Sequence, residues 1–148
     1  MLQIESIPTA TAPGALAGKE RDHIMMTSEE RRWGRRRVRT AAGREIALAL
    51  PTGTTLAPGA IVAIEADWYL VVEAAAEPVL AVRPRDRDTA ICVAFEVGNH
   101  HFPLALDGED LLVPDDTAMV QLLTRLDIPW ERRRAIFNPV ARGHVHER

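Results

Sequence analysis

Alternating apolar and polar positions in the first half of the chain predict short strands. Residues 1 to about 30 mix small, polar and proline residues, so we expect one initial strand and then a long loop. Two extended segments, Arg35–Thr40 and Glu45–Leu50, flank a turn that contains Gly43 and predict a β-hairpin. Apolar stretches at Ile61–Ile64 and Trp68–Val72 follow between Pro and Gly turn signals. Strands at this spacing predict a small antiparallel β domain.

The second half of the chain alternates strand-like and helix-like patterns. Pro78 ends a short connector, which we interpret as the boundary between domains at residues 1–76 and 77–148. We expect Asp88 to cap the first helix beyond it and Gly98 to end that helix. The order of elements is βαββαβ, the signature of a ferredoxin-like domain, so the predicted fold class is α+β. The six elements are Val79–Arg83, Asp88–Val97, His101–Leu106, Asp110–Val113, Asp115–Leu126 and Trp130–Phe137.

Composition and charge act mainly by excluding functions. The 148 residues include 18 Lys+Arg and 21 Asp+Glu, so a net charge of −3 gives no general attraction for nucleic acid or anionic membranes. The most apolar stretch, Tyr69–Val82, is interrupted by charge and proline, and Met1–Glu5 lacks a signal-peptide pattern, so we expect neither membrane insertion nor export. The single cysteine, Cys92, excludes a disulfide within the chain and favours the cytoplasm.

Catalytic motifs are missing from the sequence. It contains no phosphate-binding loop, no His-Glu-x-x-His and no nucleophile elbow. We therefore expect that the protein is not an enzyme.

Histidines offer the clearest candidate chemistry. Four of the five lie in two tight clusters, His100 with His101 and His144 with His146. Neutral imidazole is a common ligand of Ni, Cu and Zn ions, so these four residues are candidate metal ligands. The alternative also stands at this point: the pair at a turn is structural and His-Val-His is surface decoration. One chain lacks an obvious complete site, but a twofold axis at His101 would supply two imidazoles at once.

A resemblance to a known family rests on particular stretches of the sequence. Phe95–Leu104 contains Gly98-Asn99-His100-His101 and resembles the Gly-Asn-(Arg or Lys)-His motif of the urease accessory nickel metallochaperones. Arg37–Pro51 resembles that family's first-domain segment, and Ala75–Val82 resembles its interdomain region. The resemblance runs from about Arg35 to Pro139.

The resemblance implies a homodimer that carries nickel. A peptide-binding-like β domain would precede a ferredoxin-like domain for metal binding and dimerisation. Two copies of His101 would share one ion, and His144 and His146 would add ligands. His100, where relatives carry a basic residue, would be either an accessory ligand or a polar replacement. The cargo would be Ni(II), with Zn(II) as the other candidate. Because imidazole ligands alone favour Cu(II), the identification of the metal as nickel depends on the resemblance. The implied partners are the urease accessory GTPase and the urease preactivation complex.

A run of arginines between Arg31 and Arg39 is the sharpest charge asymmetry in the chain. Without interleaved aromatics other than Trp33, it favours an acidic protein surface over nucleic acid. The competing hypothesis for the whole chain is an interaction module without metal, whose β domain binds a peptide or partner and whose histidines are incidental. A smaller basic cluster at Arg132–Arg134 is typical of a charged, protected edge strand. The arginines of the run are Arg31, Arg32, Arg35, Arg36, Arg37 and Arg39.

Overall fold

A computed structural model describes residues 1–9 and 11–140 of the chain. The chain divides into two compact units, Met1–Ala75 and Ala76–Arg148. The described residues form ten β-strands and two α-helices. Strands in two small sheets come first, followed by one sheet with two helices, so the predicted α+β class is confirmed.

The first unit consists of two three-stranded sheets. Their strand orders are β1-β4-β3 and β2-β6-β5. Parallel pairs join β1 to β4 and β2 to β6, and the remaining pairs are antiparallel. Buried Ile, Leu, Met and Val side chains from both sheets form one hydrophobic core. The strands are β1 Leu2–Ile4, β2 Glu20–Met26, β3 Arg35–Arg39, β4 Glu45–Ala49, β5 Ile61–Ile64 and β6 Trp68–Ala74.

Strand β2 is the main departure from the sequence-based expectation in this unit. Residues 1 to about 30 were expected to hold one strand and a loop, but β2 lies within them. Its inward positions are Asp22, Ile24 and Met26, so a charged residue occupies one of the three buried sites. That carboxylate masks the period-two pattern from which a strand is recognised. The predicted hairpin, by contrast, is confirmed as β3 and β4, with Gly43 in its turn at φ 90°.

Asp22 ties β2 to the β3–β4 hairpin. Its buried carboxylate accepts hydrogen bonds from the Arg44 guanidinium at 2.8 Å and from the backbone N–H groups of His23 at 2.8 Å and Ala42 at 3.0 Å. Burial alone raises the pKa of Asp22, but hydrogen bonds from Thr40, Arg44 and the backbone together lower this pKa below its ordinary value. The folded state therefore favours the charged carboxylate.

Replacing Asp22 by asparagine is expected to lower the free energy of unfolding by about 2 kcal/mol at pH 7, because the amide loses the ion pair with Arg44. The folded pKa of Asp22 lies below the unfolded value, so its stabilisation is present above about pH 3.9 and is lost as pH falls through the folded pKa. Urea unfolding of both proteins at pH 7 and pH 3 measures this difference, which should shrink at the lower pH.

The control for this substitution is Arg39→Gln, which removes an exposed ion pair with Glu45 in the same unit. It should change the free energy of unfolding by less than about 0.5 kcal/mol. A destabilisation by Asp22→Asn that is equal at both pH values would contradict the assigned role of the carboxylate.

The second unit is a four-stranded antiparallel sheet with two helices. Its strand order is β10-β7-β9-β8, and all three neighbouring pairs are antiparallel. This is the arrangement of a ferredoxin-like βαββαβ fold, with the first and third strands at the centre. The elements are β7 Ala76–Val82, α1 Arg87–Asn99, β8 Ala105–Asp107, β9 Asp110–Pro114, α2 Thr117–Arg125 and β10 Glu131–Ile136.

One face of this sheet is covered by the helices. Leu80 pairs with Val113 and Val82 with Leu111, and all four side chains are buried in a cluster with residues of both helices. From the helices, Val93 and Val97 of α1 and Met119, Leu122 and Leu123 of α2 join this core.

The opposite, helix-free face of the sheet is covered by the chain that follows β10. Phe137 is buried there against Val79, Ala81, Ala105 and Leu112. The Val140 N–H then donates to the Leu104 carbonyl at 2.8 Å, next to β8 at the far edge of the sheet. Residues 137–140 therefore cross the helix-free face from the β10 edge to the β8 edge; we call them the strap.

Several predicted boundaries are wrong around α1. The helix is capped by Asp86 rather than Asp88, and the Asp86 carboxylate accepts from the Thr89 N–H at 2.8 Å. Gly98 does not end the helix, which continues to Asn99. The strand expected at His101–Leu106 begins only at Ala105. His101 therefore lies in a turn and not on a strand.

Candidate metal centre

The C-terminal end of α1 carries the histidine pair. His100 is the residue that caps the helix, and His101 follows it with φ 64°. The His101 N–H donates to the Gly98 carbonyl at 2.9 Å, and the Phe102 N–H donates to the Val97 carbonyl at 3.1 Å. These two bonds form a Schellman motif, which satisfies the last carbonyls of the helix.

His101 occupies the position of that motif at which glycine is usual. A left-handed φ brings the β-carbon of other residues against the backbone and costs about 1 kcal/mol or more. The half-buried Phe102 packs against the helix-covered core, which contains Val97, and so fixes the turn. The backbone at His101 is thus held in a conformation that glycine would adopt more easily.

The His101 side chain is exposed and chemically available. Within the described residues, neither of its ring nitrogens has a hydrogen-bond partner. An exposed imidazole with no internal partner offers either nitrogen to a metal ion.

The His100 ring is oriented by its own helix. Its Nδ1 lies 2.9 Å from the Glu96 carbonyl oxygen. Because that oxygen can only accept, Nδ1 must donate, which leaves the lone pair on Nε2. A backbone carbonyl that fixes the tautomer in this way is a frequent second partner of metal-ligating histidines. His100 is therefore chemically competent as a ligand.

The described part of one chain does not hold a complete coordination set. Among residues 1–9 and 11–140, no group of three or more His, Cys, Asp or Glu side chains is arranged to hold a metal ion. The candidate ligands His144 and His146 lie outside the described residues. His23 lies in the first unit, on β2.

Sequence reasoning missed the exposed apolar side of α1. Ile91 is 55% exposed and Phe95 is 67% exposed, and Gly98 lies one further turn along with open space beside it. Cys92, on the same helix, is also exposed. We call Ile91, Phe95 and Gly98, at spacings of four and three residues, the α1 stripe. The available signal was that residues 90–95 are apolar all round, as in a helix covered on both sides.

The acidic pair before α2 has structural roles. The Asp116 carboxylate accepts from the Ala118 N–H at 2.8 Å and caps the helix. Asp115 accepts from Arg132 Nε at 3.2 Å. Both carboxylates are therefore occupied within the fold.

Fold and candidate site together define a two-unit α+β protein with exposed imidazole groups at a helix end. Two family models match the chain: the N-terminal domain of the UreE urease accessory protein over residues 4–75, and its C-terminal domain over residues 77–148. The chain therefore belongs to the UreE urease accessory protein family, which confirms the resemblance to the urease accessory nickel metallochaperones. Members of this family are accessory proteins of urease rather than the enzyme.

Individual relatives agree with this assignment. A urease accessory protein UreE from Synechococcus sp. (strain JA-3-3Ab) is 39% identical over 124 residues, which cover 83% of each chain. The Deinococcus radiodurans protein of the same name is 38% identical over 78% of this chain and 74% of its own. The Cupriavidus necator protein is 32% identical over 99% of this chain and 79% of its own. In the described part of the chain, neither helix has the length and hydrophobicity to cross a bilayer.

Proposed function

We propose that this protein is a cytoplasmic nickel carrier that acts in urease assembly as a homodimer. One Ni(II) ion is held between the His101 imidazoles of two copies, with His100, His144 and His146 as further ligands. The ion passes to the urease accessory GTPase or to the urease preactivation complex. The first unit, Met1–Ala75, serves partner binding, and the second unit, Ala76–Arg148, serves metal binding and dimerisation.

The backbone at His101 is the observation that carries this proposal. A histidine stands where glycine would be more stable, on a turn fixed by two hydrogen bonds and with both ring nitrogens unpartnered within the described residues. Strained backbone positions cluster at functional sites, which supports a functional role for this side chain. Metal binding is the function that an exposed imidazole at this position supports best.

Dimerisation is supported by the α1 stripe. An apolar side chain that is 67% exposed, as Phe95 is, gains about 25 cal/mol for each Å² that a partner covers. Gly98 leaves open space in which a partner backbone can approach closely, at a helix position where glycine costs about 1 kcal/mol relative to alanine. The stripe leads along α1 to His101. A twofold axis beside the stripe would therefore bring two copies of that histidine together.

The strap supports a role for the tail histidines. Val140 is bonded to Leu104, which is three residues from His101 in the sequence and hence within about 11 Å of it. His144 and His146 follow Val140 by four and six residues, and a chain spans up to about 3.3–3.6 Å per residue. Both histidines can therefore reach the His101 region.

Titration with nickel tests the tail. Replacing His144 and His146 together by glutamine is expected to weaken nickel binding about tenfold or more, because the ion loses imidazole ligands while the His101 pair remains. Isothermal titration calorimetry measures the affinity, and light scattering should show an unchanged dimer.

The matched control for the tail is His23→Gln, which removes one imidazole from the first unit. The nickel affinity of the His23→Gln variant should equal that of the wild type. If the tail variant also bound nickel as tightly as the wild type, the proposed role of His144 and His146 would be refuted. If the wild type bound no nickel, the carrier function itself would fail.

A further inference from the structure

The open edge of the first unit carries a row of arginines. Among the described residues, strand β3 stands at the end of the order β1-β4-β3 and is paired on one side only. Its residues alternate in exposure: Arg36 and Val38 are half-buried, whereas Arg35, Arg37 and Arg39 are exposed. Three guanidinium groups therefore lie on the outer face of an edge strand.

The backbone of β3 is oriented to accept another strand. The Leu50 N–H donates to the Gly34 carbonyl at 2.7 Å, and the Thr40 N–H donates to the Arg44 carbonyl at 2.8 Å. These bonds place the hydrogen-bonded pairs with β4 at the even-numbered residues of β3. The N–H and C=O groups of the three exposed arginines therefore point away from β4, toward the open edge.

Most of the charge on this row is uncompensated. Arg39 pairs with Glu45 on β4. Across the described residues, by contrast, neither Arg35 nor Arg37 has a carboxylate or hydrogen-bond partner. The residues opposite them on β4 are Ala49 and Ala47, which are small and neutral. In the part of the chain that the structure describes, two guanidinium groups therefore remain free beside an unpaired backbone edge.

A second edge strand shows that protection from aggregation does not require free arginines. β10 is an edge strand of the other unit and contains Arg132–Arg134. Each of these three side chains makes a hydrogen bond within the chain. Arg132 donates to the Asp115 carboxylate at 3.2 Å, Arg133 to the Glu131 carboxylate at 2.9 Å and Arg134 to the Ala76 carbonyl at 3.0 Å. Charged side chains disfavour edge-to-edge pairing even when they are bonded internally. The free guanidinium groups on β3 therefore call for a different explanation.

We propose that β3 binds an extended acidic segment of a partner protein by strand addition. The added strand pairs with the outward backbone groups of β3 and places carboxylates at alternate positions opposite Arg35 and Arg37. Opposed residues on neighbouring strands have β-carbons about 4.5–5.5 Å apart, within reach of an arginine–carboxylate pair. This surface depends on neither nickel nor the dimer; it rests on the proposed partner binding by the first unit and names the chemistry of the partner.

Other occupants of this edge fit less well. A second copy of β3 would bring arginine against arginine. A nucleic acid would satisfy the guanidinium groups, but its phosphates have no donors for the outward carbonyls of β3, whereas a peptide backbone supplies them.

Fluorescence anisotropy with a labelled peptide tests the proposal. The probe is a ten-residue peptide of alternating Glu and Thr, titrated with the full chain at about 50 mM and 200 mM salt. We expect binding that weakens with salt and that the double variant Arg35→Glu/Arg37→Glu weakens at least about thirtyfold, because like charges then face each other. The matched control, Arg132→Glu/Arg134→Glu on β10, should change the affinity by no more than about twofold.

Backbone pairing is tested with a second probe. The same peptide methylated on alternate backbone nitrogens should bind at least about tenfold more weakly, since it cannot donate to the edge. Equal binding of the methylated peptide, or tighter binding of a ten-nucleotide oligothymidine, would overturn strand addition. No binding of the unmodified peptide, or unchanged binding by the folded β3 double variant, would overturn the site itself. Circular dichroism establishes that each variant is folded.

Discussion

Replacing His101 by glycine is expected to abolish tight nickel binding and at the same time to stabilise the second unit. In the proposed dimer the substitution removes two ligands of the shared ion, so we expect nickel affinity to fall by at least about a hundredfold. Because glycine adopts φ 64° without a β-carbon clash, the free energy of unfolding of metal-free protein should rise by about 1 kcal/mol. Calorimetric titration and urea unfolding measure the two effects.

The matched control for this substitution lies at the end of α2. Asp127 has φ 60°, its N–H donates to the Thr124 carbonyl at 3.1 Å, and the Ile128 N–H donates to the Leu123 carbonyl at 2.9 Å, so this turn repeats the motif at His101. Asp127→Gly should raise stability by a similar amount and leave nickel affinity unchanged. Wild-type nickel affinity in His101→Gly would refute the assigned site, whatever its stability.

Replacing Phe95 by glutamate is expected to convert the proposed dimer into monomers. The side chain is exposed in the single chain, so the substitution should leave the fold intact. In a twofold interface both copies carry the substitution. Because two charges are then buried, association should weaken at least about a hundredfold. Sedimentation at micromolar concentration measures the dissociation. Nickel affinity should fall in parallel, because the two His101 copies separate.

The control for Phe95 is Ile136→Glu, on β10 of the same unit. Ile136 is 55% exposed, as is Ile91 of the α1 stripe, but it lies at an edge of the sheet. This variant should remain a dimer. A Phe95→Glu protein that sedimented as the wild-type dimer would show that the α1 stripe is not the interface.

The hydrophobic pattern alone predicted those parts of the fold that are determined by residues close together in the sequence. The β3–β4 hairpin follows from two extended segments around Gly43, and the order βαββαβ follows from alternating strand and helix periods. Both of these predictions are confirmed. Strand β2 was missed because its pairing with β6 and its buried Asp22 depend on distant residues.

Prediction of the candidate site failed where a local signal was ambiguous and where a contact joins residues far apart in the sequence. Gly98 resembled a helix end because glycine is the usual residue there, but the motif is formed by His100 and His101 instead. The strand expected from His101 starts four residues later, because the left-handed turn comes first. The contact between Val140 and Leu104 joins residues far apart in sequence, so no local pattern reveals it.

The strap has a consequence for the size of any assembly. By burying Phe137 with Val79, Ala81, Ala105 and Leu112, it covers apolar residues of the helix-free face within a single chain. Leu106 and Ile136, the large apolar side chains exposed on strands of this unit, share the register of the helix-covered face. Among the described strand and helix residues of this unit, the large exposed apolar side chains therefore lie on the helix side of the sheet, which favours a closed pair over the open-ended stacking that produces fibres.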